Sequence, residues 1–437
     1  MAKVTLVQMP YIPKDKIFVK SFYNKFIGGV VKSFTLPMLA SYVKQFGHEV
    51  EIFLPKRPED LEKIRDTDAI GFTLLSANYP FFIKSLEFCD KSIPTIVGGP
   101  HASFDKELMK SGKVSSVVVG EGENALLKIL EALDDNKMPK KVYSEPVIGN
   151  LDSLPYVDWG LVDAPRHVGI MCTSRGCPFG CNFCITSKLY GPKWRGMSAG
   201  RILDEIEDRK WKIVWFSDDN FILNPERVNE FLNLKEERGL EFSWFCFGRC
   251  DTIVDNPGMV KRMKENGCFM MFIGIESMSD KVLNAINKRT TKRINKDAVR
   301  ILKENGIGIW SATMLGPYDT EDSISSLVAF LNKINPVVHE TSILTPFLGT
   351  DIYYKLKKEG RLLNEDWGLY DGAHCVYNPY FVSAERLQNA VEDINEAMWE
   401  KIKWKSFAKP IFMKNRLLFG LLKEATKIHF KFKNESF

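Results

Sequence analysis

Val168-Gly169-Ile170-Met171-Cys172, an apolar strand pattern, runs through Thr173-Ser174-Arg175-Gly176 into Cys177-Pro178-Phe179-Gly180-Cys181-Asn182-Phe183-Cys184. Three cysteines at this spacing, on a loop holding Gly176, Pro178 and Gly180, let the backbone wrap an inorganic cube and aim three thiolates at three of its irons. The fourth iron is left without a protein ligand, and an open position on a metal is a place for substrate chemistry. Zinc is the rival. It takes four ligands, usually from C-x-x-C pairs, and would need its fourth from Cys172, Cys246, Cys250 or Cys268. The nine cysteines are an odd number in a long chain, and four of them crowd between 172 and 184. That crowding points to metal chemistry in a reducing compartment rather than to a disulfide framework.

Working outward, strand patterns recur at Val168 to Cys172, Ile213 to Phe216, Phe242 to Phe247, Met270 to Ile275, Ile307 to Met314 and Val337 to Leu344, with helical stretches between them. Six such units over 166–350 predict a partial (β/α)6 barrel, whose chemistry belongs on the loops at the strands' carboxyl ends. Those ends carry Asp218 and Asp219, Arg249 and Asp251, Glu276, and Gly316-Pro317. Before the barrel, residues 1–135 alternate strand patterns (Val4 to Val7, Val50 to Leu54, Ala69 to Leu75, Thr95 to Val97, Ser116 to Val119) with helical ones. This predicts a Rossmann-like, doubly wound α/β domain. Its turn chemistry falls at Gly98-Gly99-Pro100-His101 and Gly120-Glu121-Gly122-Glu123, where such sheets bind ligands. Residues 136–165, with four prolines, make a linker, and 351–437 form a mainly helical C-terminal region with a helical pattern from Ala384 to Lys403.

With 45% hydrophobic and 26% charged residues the chain is not disordered, and a formal charge of +5 on 437 residues does not announce nucleic acid. The basicity sits in residues 401–437, where ten Lys and Arg face two acidic residues; the tail carries +8 and the rest −3. Trp404, Phe407, Phe412, Phe419, Phe430 and Phe432 interleave with those lysines, which suits an amphipathic helix on the barrel or, alternatively, peripheral membrane contact. The opening strand lacks an export signal, and Lys32 and Pro37 break the apolar stretch from Phe26 to Val43. A cytoplasmic protein is expected.

The C-x-x-x-C-x-x-C string directly after the first barrel strand resembles the radical S-adenosylmethionine (SAM) enzymes. The resemblance implies a 4Fe-4S cluster on Cys177, Cys181 and Cys184, with SAM chelating the unique iron and cleaved to a 5′-deoxyadenosyl radical. It also implies SAM contacts from Phe183, Asp218, Asp219, Arg249, Asp251, Glu276, Gly316 and Pro317. By residue types alone, the Asp pair suits a helix cap equally well, and Glu276 an ion pair with Arg249.

The glycine turns of residues 1–135 resemble the cobalamin-binding domain that precedes many of these barrels. Implied cobalamin contacts are Met9, Pro10, Ser76, Ala77, Gly98, Gly99, Pro100, His101, Gly120, Glu121, Gly122 and Glu123, with Asn78 beside them. A dinucleotide fold is the bland rival, but Gln8-Met9-Pro10-Tyr11 stands where G-x-G-x-x-G would follow the first strand. The D-x-H-x-x-G string that gives cobalt a histidine is absent, so the resemblance implies no histidine on cobalt from this domain. The reaction implied is methylation of an unactivated carbon, the substrate radical taking its methyl group from methylcobalamin. Rivals are a cobalamin-containing radical SAM enzyme that oxidises, cyclises or couples its substrate, and a non-catalytic cobalamin sensor. The substrate is open among a protein or peptide side chain, a lipid and a small metabolite. A low-potential ferredoxin or flavodoxin is the expected electron donor.

Overall fold

In the computed structural model, which describes residues 1–10, 34–162 and 167–401, the chain is built on two six-stranded parallel sheets. The first contains β1 (Lys3–Val7), β2 (Glu49–Phe53), β3 (Ala69–Thr73), β4 (Thr95–Gly98), β5 (Ser116–Val118) and β6 (Val142–Tyr143), in the order β2-β1-β3-β4-β5-β6. The order reverses between β1 and β3, which opens a ligand crevice at their carboxyl ends. Helices α1 (Thr35–Lys44) and α2 (Glu123–Asp134) cover one face through Leu36, Ala40, Val43, Ala125, Leu126 and Ile129. Phe81, Phe82 and Leu108 cover the other. Burial on both faces is why β1 and β3 are near-continuous apolar runs. The sixth strand comes from the stretch expected to be a linker. Farther along that stretch, Leu151, Leu154 and Val157 are buried in the barrel's core, so it straps the two units together.

The second sheet runs β7 (Val168–Met171), β10 (Ile213–Phe216), β11 (Ser243–Gly248), β12 (Cys268–Glu276), β13 (Gly308–Leu315) and β14 (Val338–Ile343) in simple succession. β7 and β14 are edges, so the barrel is partial, as the six strand patterns predict. A small antiparallel hairpin, β8 (Ser174–Arg175) with β9 (Arg195–Gly196), brackets the cysteine loop. Side chains alternate along the strands: Val214, Phe216, Trp244, Cys246, Met271, Ile273 and Ile309 pack under the helices. Ile170, Trp215, Phe245, Phe247, Met270, Phe272 and Trp310 form a separate cluster on the opposite, lumenal face.

Helices α3 (Ala199–Arg209), α4 (Pro225–Glu237), α5 (Lys292–Glu304), α6 (Glu321–Ile334) and α7 (Asp351–Lys358) start at Ser198, Asn224, Thr291, Thr320 and Thr350. Each of these side chains accepts a first-turn N–H that otherwise lacks a partner. The last described helix, α8 (Ala384–Lys401), covers edge strand β14, where the Asn395 side chain pairs with the backbone N and O of Thr341 at 2.9 and 2.7 Å. That amide stands in for a seventh strand at one residue. Tyr11, the stretch from Phe26 to Ser33, Pro165 and the aromatic tail from Trp404 to Phe432 lie outside the described residues. No described helix is long and apolar enough to cross a membrane.

Candidate active site

The cysteine loop is fixed from several sides. Gly176 sits at φ +82°, where an added Cβ would lie 2.4 Å from the Lys193 carbonyl oxygen, so only glycine fits the start of the loop. Asn182 donates from its backbone to Ile286 O (3.2 Å) and from its side chain to Ala285 O (2.8 Å), while its own carbonyl accepts from Ile352 N at the start of α7 (3.1 Å). The Arg249 guanidinium stacks 3.6 Å over Phe179, with Nη1 3.9 Å from Cys181 Sγ. Burial pushes the Cys177 and Cys184 thiols up, and the charges of neighbouring thiolates and of Asp219 push them further. All three cysteines are free. Thiols gathered like this ionise together only around concentrated positive charge, which is what iron supplies. The trio on its glycine-bearing loop therefore fits an iron-sulfur cluster. No further cysteine offers zinc a fourth thiolate: Cys246, Cys250 and Cys268 are in the helix-packed core, and Cys172 bonds back to Ser174 O (3.4 Å).

The residues expected to hold SAM divide into two groups. Asp218 is fully buried, accepting from Thr173 N (3.1 Å), Thr173 Oγ1 (2.8 Å) and Ser174 Oγ, with Arg227 4.0 Å away. Its oxygens brace the end of β7 against β10. Asp219, by contrast, has a single hydrogen bond among the described residues, from Thr186 Oγ1 at 3.2 Å. It keeps accessible surface, yet protein surrounds it closely enough for desolvation to push its carboxyl up to about 6. Its charge reaches the Cys177 and Cys184 thiols, which places the carboxyl beside the cysteine loop. Arg249 also holds Asp251 (Nη2–Oδ2 2.7 Å) and the Lys288 carbonyl (2.8 Å). Glu276 does not pair with Arg249. It sits at φ +60° on a bulge of β12 and pairs with buried Lys288 at 2.6 Å. Gly316 and Pro317 form a buried turn tied by Asp319 Oδ2, which accepts from Gly316 N at 2.7 Å. Phe183 packs half-buried against the barrel core.

At the other sheet, Gly99 has φ +99°, and a Cβ there would lie 2.9 Å from both N and O of Leu74, so the β3 and β4 loops touch backbone to backbone. Ser103 Oγ donates to Gly99 O (2.9 Å) and accepts from Gly120 N (3.1 Å), joining the β4 and β5 loops. Gly120, at φ +85°, has nothing closer to an added Cβ than Leu189 O at 3.9 Å, which leaves open space above it. This glycine rim at the carboxyl ends of β4 and β5 suits a large flat cofactor. Gly98, Pro100, Ala77 and Pro10 are half-buried along the same end of the sheet, while Met9, Ser76 and Asn78 are buried there. His101 is buried beside it. Its side chain is enclosed between Tyr79 and Trp367 (ring centroids 4.9 and 4.8 Å), with Nδ1 2.9 Å from Ser76 Oγ.

Glu121 and Glu123 reach out of this sheet. Glu121 pairs with Arg195 at 2.5 Å and Arg175 at 3.2 Å, and Glu123 with Arg175 at 2.5 Å, all four side chains being nearly buried. Burial pushes the Glu121 carboxyl up, but the hydrogen bond from Arg195 and the charge of Arg175 outweigh it and hold the carboxyl below its ordinary value. Gly122 lies on this loop between them. Arg175 and Arg195 are the hairpin strands that bracket the cysteines, so a buried four-residue seam ties the glycine rim to the cluster loop. Sequence reasoning missed Arg175, Arg195 and Lys288. The signal was faint, although Arg175 lies two residues before the first cysteine.

Comparison with known proteins agrees with this geometry. The radical SAM superfamily model matches residues 171–331, and the B12 binding domain model residues 23–130. An uncharacterized methyltransferase of Pyrococcus horikoshii is 30% identical over 80% of this chain and 84% of its own length. The bacteriochlorophyllide d C-8(2)-methyltransferase of Chlorobaculum tepidum is 26% identical over 87% of both chains. Among solved structures, the cobalamin-dependent SAM radical enzyme OxsB, with aqua-cobalamin and SAM bound, shares the fold at a TM-score of 0.66 and 17% identity, over 98% of this chain and 72% of that one. Three thiols on a glycine-gated loop, a glycine rim facing it across a buried seam, and these matches lead to one conclusion: the chain belongs to the radical SAM superfamily, in the group that joins a B12 binding domain to the radical SAM barrel.

Proposed function

We propose that the protein transfers a methyl group to an unactivated carbon of its substrate, as a cobalamin-dependent radical SAM methyltransferase. When bound, the 4Fe-4S cluster and SAM supply a hydrogen-abstracting 5′-deoxyadenosyl radical, and cobalamin supplies a methyl carrier. The chain's own residues hold and orient these groups. Cys177, Cys181 and Cys184 ligate iron. Asp219, with one hydrogen bond among the described residues, accepts from the amino or hydroxyl groups of SAM, while Arg249, Asp251, Glu276 and Lys288 form the charged wall beside Cys181. Gly120, with open space above it, lets the backbone approach the corrin, and Gly98, Gly99 and Gly122, packed against Val118, Leu74 and Leu39, shape the loops that present it.

The observation that carries the reading is the seam of Glu121 and Glu123 with Arg175 and Arg195, because it ties both cofactor loops into one rigid unit. Two groups that act on the same carbon need fixed mutual geometry. The Chlorobaculum relative, whose name gives a carbon as methyl acceptor, supports carbon as the acceptor here. A reductant is required, and the +8 tail suits an acidic ferredoxin or flavodoxin. The test is anaerobic incubation of reconstituted protein with cobalamin, SAM, reductant and candidate substrates. Methylation predicts both S-adenosylhomocysteine, from methyl donation, and 5′-deoxyadenosine, from radical cleavage. 5′-Deoxyadenosine alone would point to an enzyme that adds no carbon, and neither product would contradict both readings.

A further inference from the structure

The lumen of the barrel carries more than cofactor binding needs. Trp215, Phe245, Phe247, Phe272 and Trp310 form a continuous aromatic belt on four adjacent strands. Trp215 stacks on Phe245 at 5.4 Å and 18°, and Phe247 on Phe272 at 4.4 Å and 29°; Phe272 meets Trp310 edge-on at 5.4 Å. Among the described residues Trp159 and Val338 also pack on this cluster, yet Phe245, Phe247, Met270 and Phe272 all keep accessible surface although they face the barrel's interior. The indole N–H groups of Trp215 and Trp310 are buried with no acceptor among the described residues.

One pleat above the belt lies Glu340. On β14 it follows Val338, which pairs with Trp310, and it pairs with Ala312, which in turn pairs with Gly274. Period-two alternation puts it on the belt's side of the sheet. Ala312 beside it is small, the Glu276–Lys288 pair covers Gly274 one strand farther on, and no described residue gives Glu340 a hydrogen bond or an ion pair; desolvation pushes its carboxyl up. It stands three residues, about 10 Å, below the strand tip that faces the cofactors. Glu340 is half-buried, and a carboxyl screened from water without a partner carries a cost that a ligand donor removes.

We propose that the lumen binds the substrate as a planar, largely apolar ring system that stacks on the aromatic belt and donates an N–H or O–H hydrogen bond to Glu340. This deepens the methyltransferase reading and rests on it for the identity of the occupant as substrate. Flat ring faces suit the belt, as stacked and edge-on aromatic pairs favour a further aromatic plane over a flexible chain. A saturated acyl chain would leave the carboxyl without a donor, and a bare peptide backbone would cover the ring faces poorly.

Indole and benzofuran serve as probes, because they share shape and apolar area and differ in one N–H. Ligand-observed NMR titration of the anaerobically reconstituted holoenzyme is expected to show saturable binding of indole, about tenfold tighter than benzofuran. Glu340→Leu should abolish the preference, Glu340→Gln should keep part of it, and Phe272→Ala should weaken both probes; circular dichroism checks folding. If Glu340→Leu fails to fold, the wild-type ratio and Glu340→Gln decide. Equal affinities in the wild type, no saturable binding, a preference that survives Glu340→Leu, or displacement of indole by SAM would each overturn the proposal. Formation of 5′-deoxyadenosine by the same wild-type preparation is read separately, so the lumen proposal can fail while the radical chemistry stands.

Discussion

Arg249 shows how much of the site hangs on single side chains. Its planar guanidinium stacks on Phe179, approaches Cys181 and holds Asp251 at the same time, which an ammonium cannot do. Arg249→Lys is therefore expected to retain iron but lower 5′-deoxyadenosine formation by about 10–100-fold, measured by chromatography of the anaerobic reaction. Cys181→Ala should instead lose the iron-sulfur absorption and reduce 5′-deoxyadenosine to background. At this scale the cysteines were legible because three ligands lie within eight consecutive residues. The partner of Glu276 was not legible, since Lys288 meets it only after β12 bulges and the backbone turns to φ +60°. Nor was the enclosure of His101, whose neighbour Trp367 is more than 250 residues away.

Among the elements, the hairpin around the cluster and edge strand β14 carry specific demands. Gly176→Ala places a Cβ into the Lys193 carbonyl at a left-handed φ, a cost of at least about 2 kcal/mol, and should cut iron incorporation even though every ligand remains. On β14, burial pulls His339 down to about 3, and it is held neutral between Ser311 (2.8 Å) and Thr341 (2.6 Å). The unfolded chain binds a proton at this residue below about pH 6.5 and the folded chain does not, so stability falls as pH drops from 6.5 toward 3. The slope attributable to His339 is at most about 1.4 kcal/mol per pH unit, and His339→Gln should flatten that share of it in urea titrations at pH 7, 6 and 5. Strand identity was readable from β-branched and aromatic runs. The sixth strand of the first sheet was not, because Val142–Tyr143 is two residues long and is defined by pairing with β5 rather than by its own pattern.

Across the whole molecule, the seam between the two sheets decides whether two cofactor sites make one active site. Its pairs join residues 52 to 74 positions apart, so no local pattern in the sequence announced them. Removing one partner of such a buried pair costs about 3–5 kcal/mol. Arg195→Met should therefore lower the thermal midpoint, and loosen the two loops while leaving the cysteines and the glycine rim in place. The most direct measurement is electron paramagnetic resonance of the holoenzyme, following the cob(II)alamin signal with the cluster oxidised and then reduced. The structure predicts that reducing the cluster broadens that signal and speeds its relaxation, and that Arg195→Met weakens the effect. A cob(II)alamin signal identical in both cluster states would place the two centres too far apart to act on one carbon, and would contradict the account.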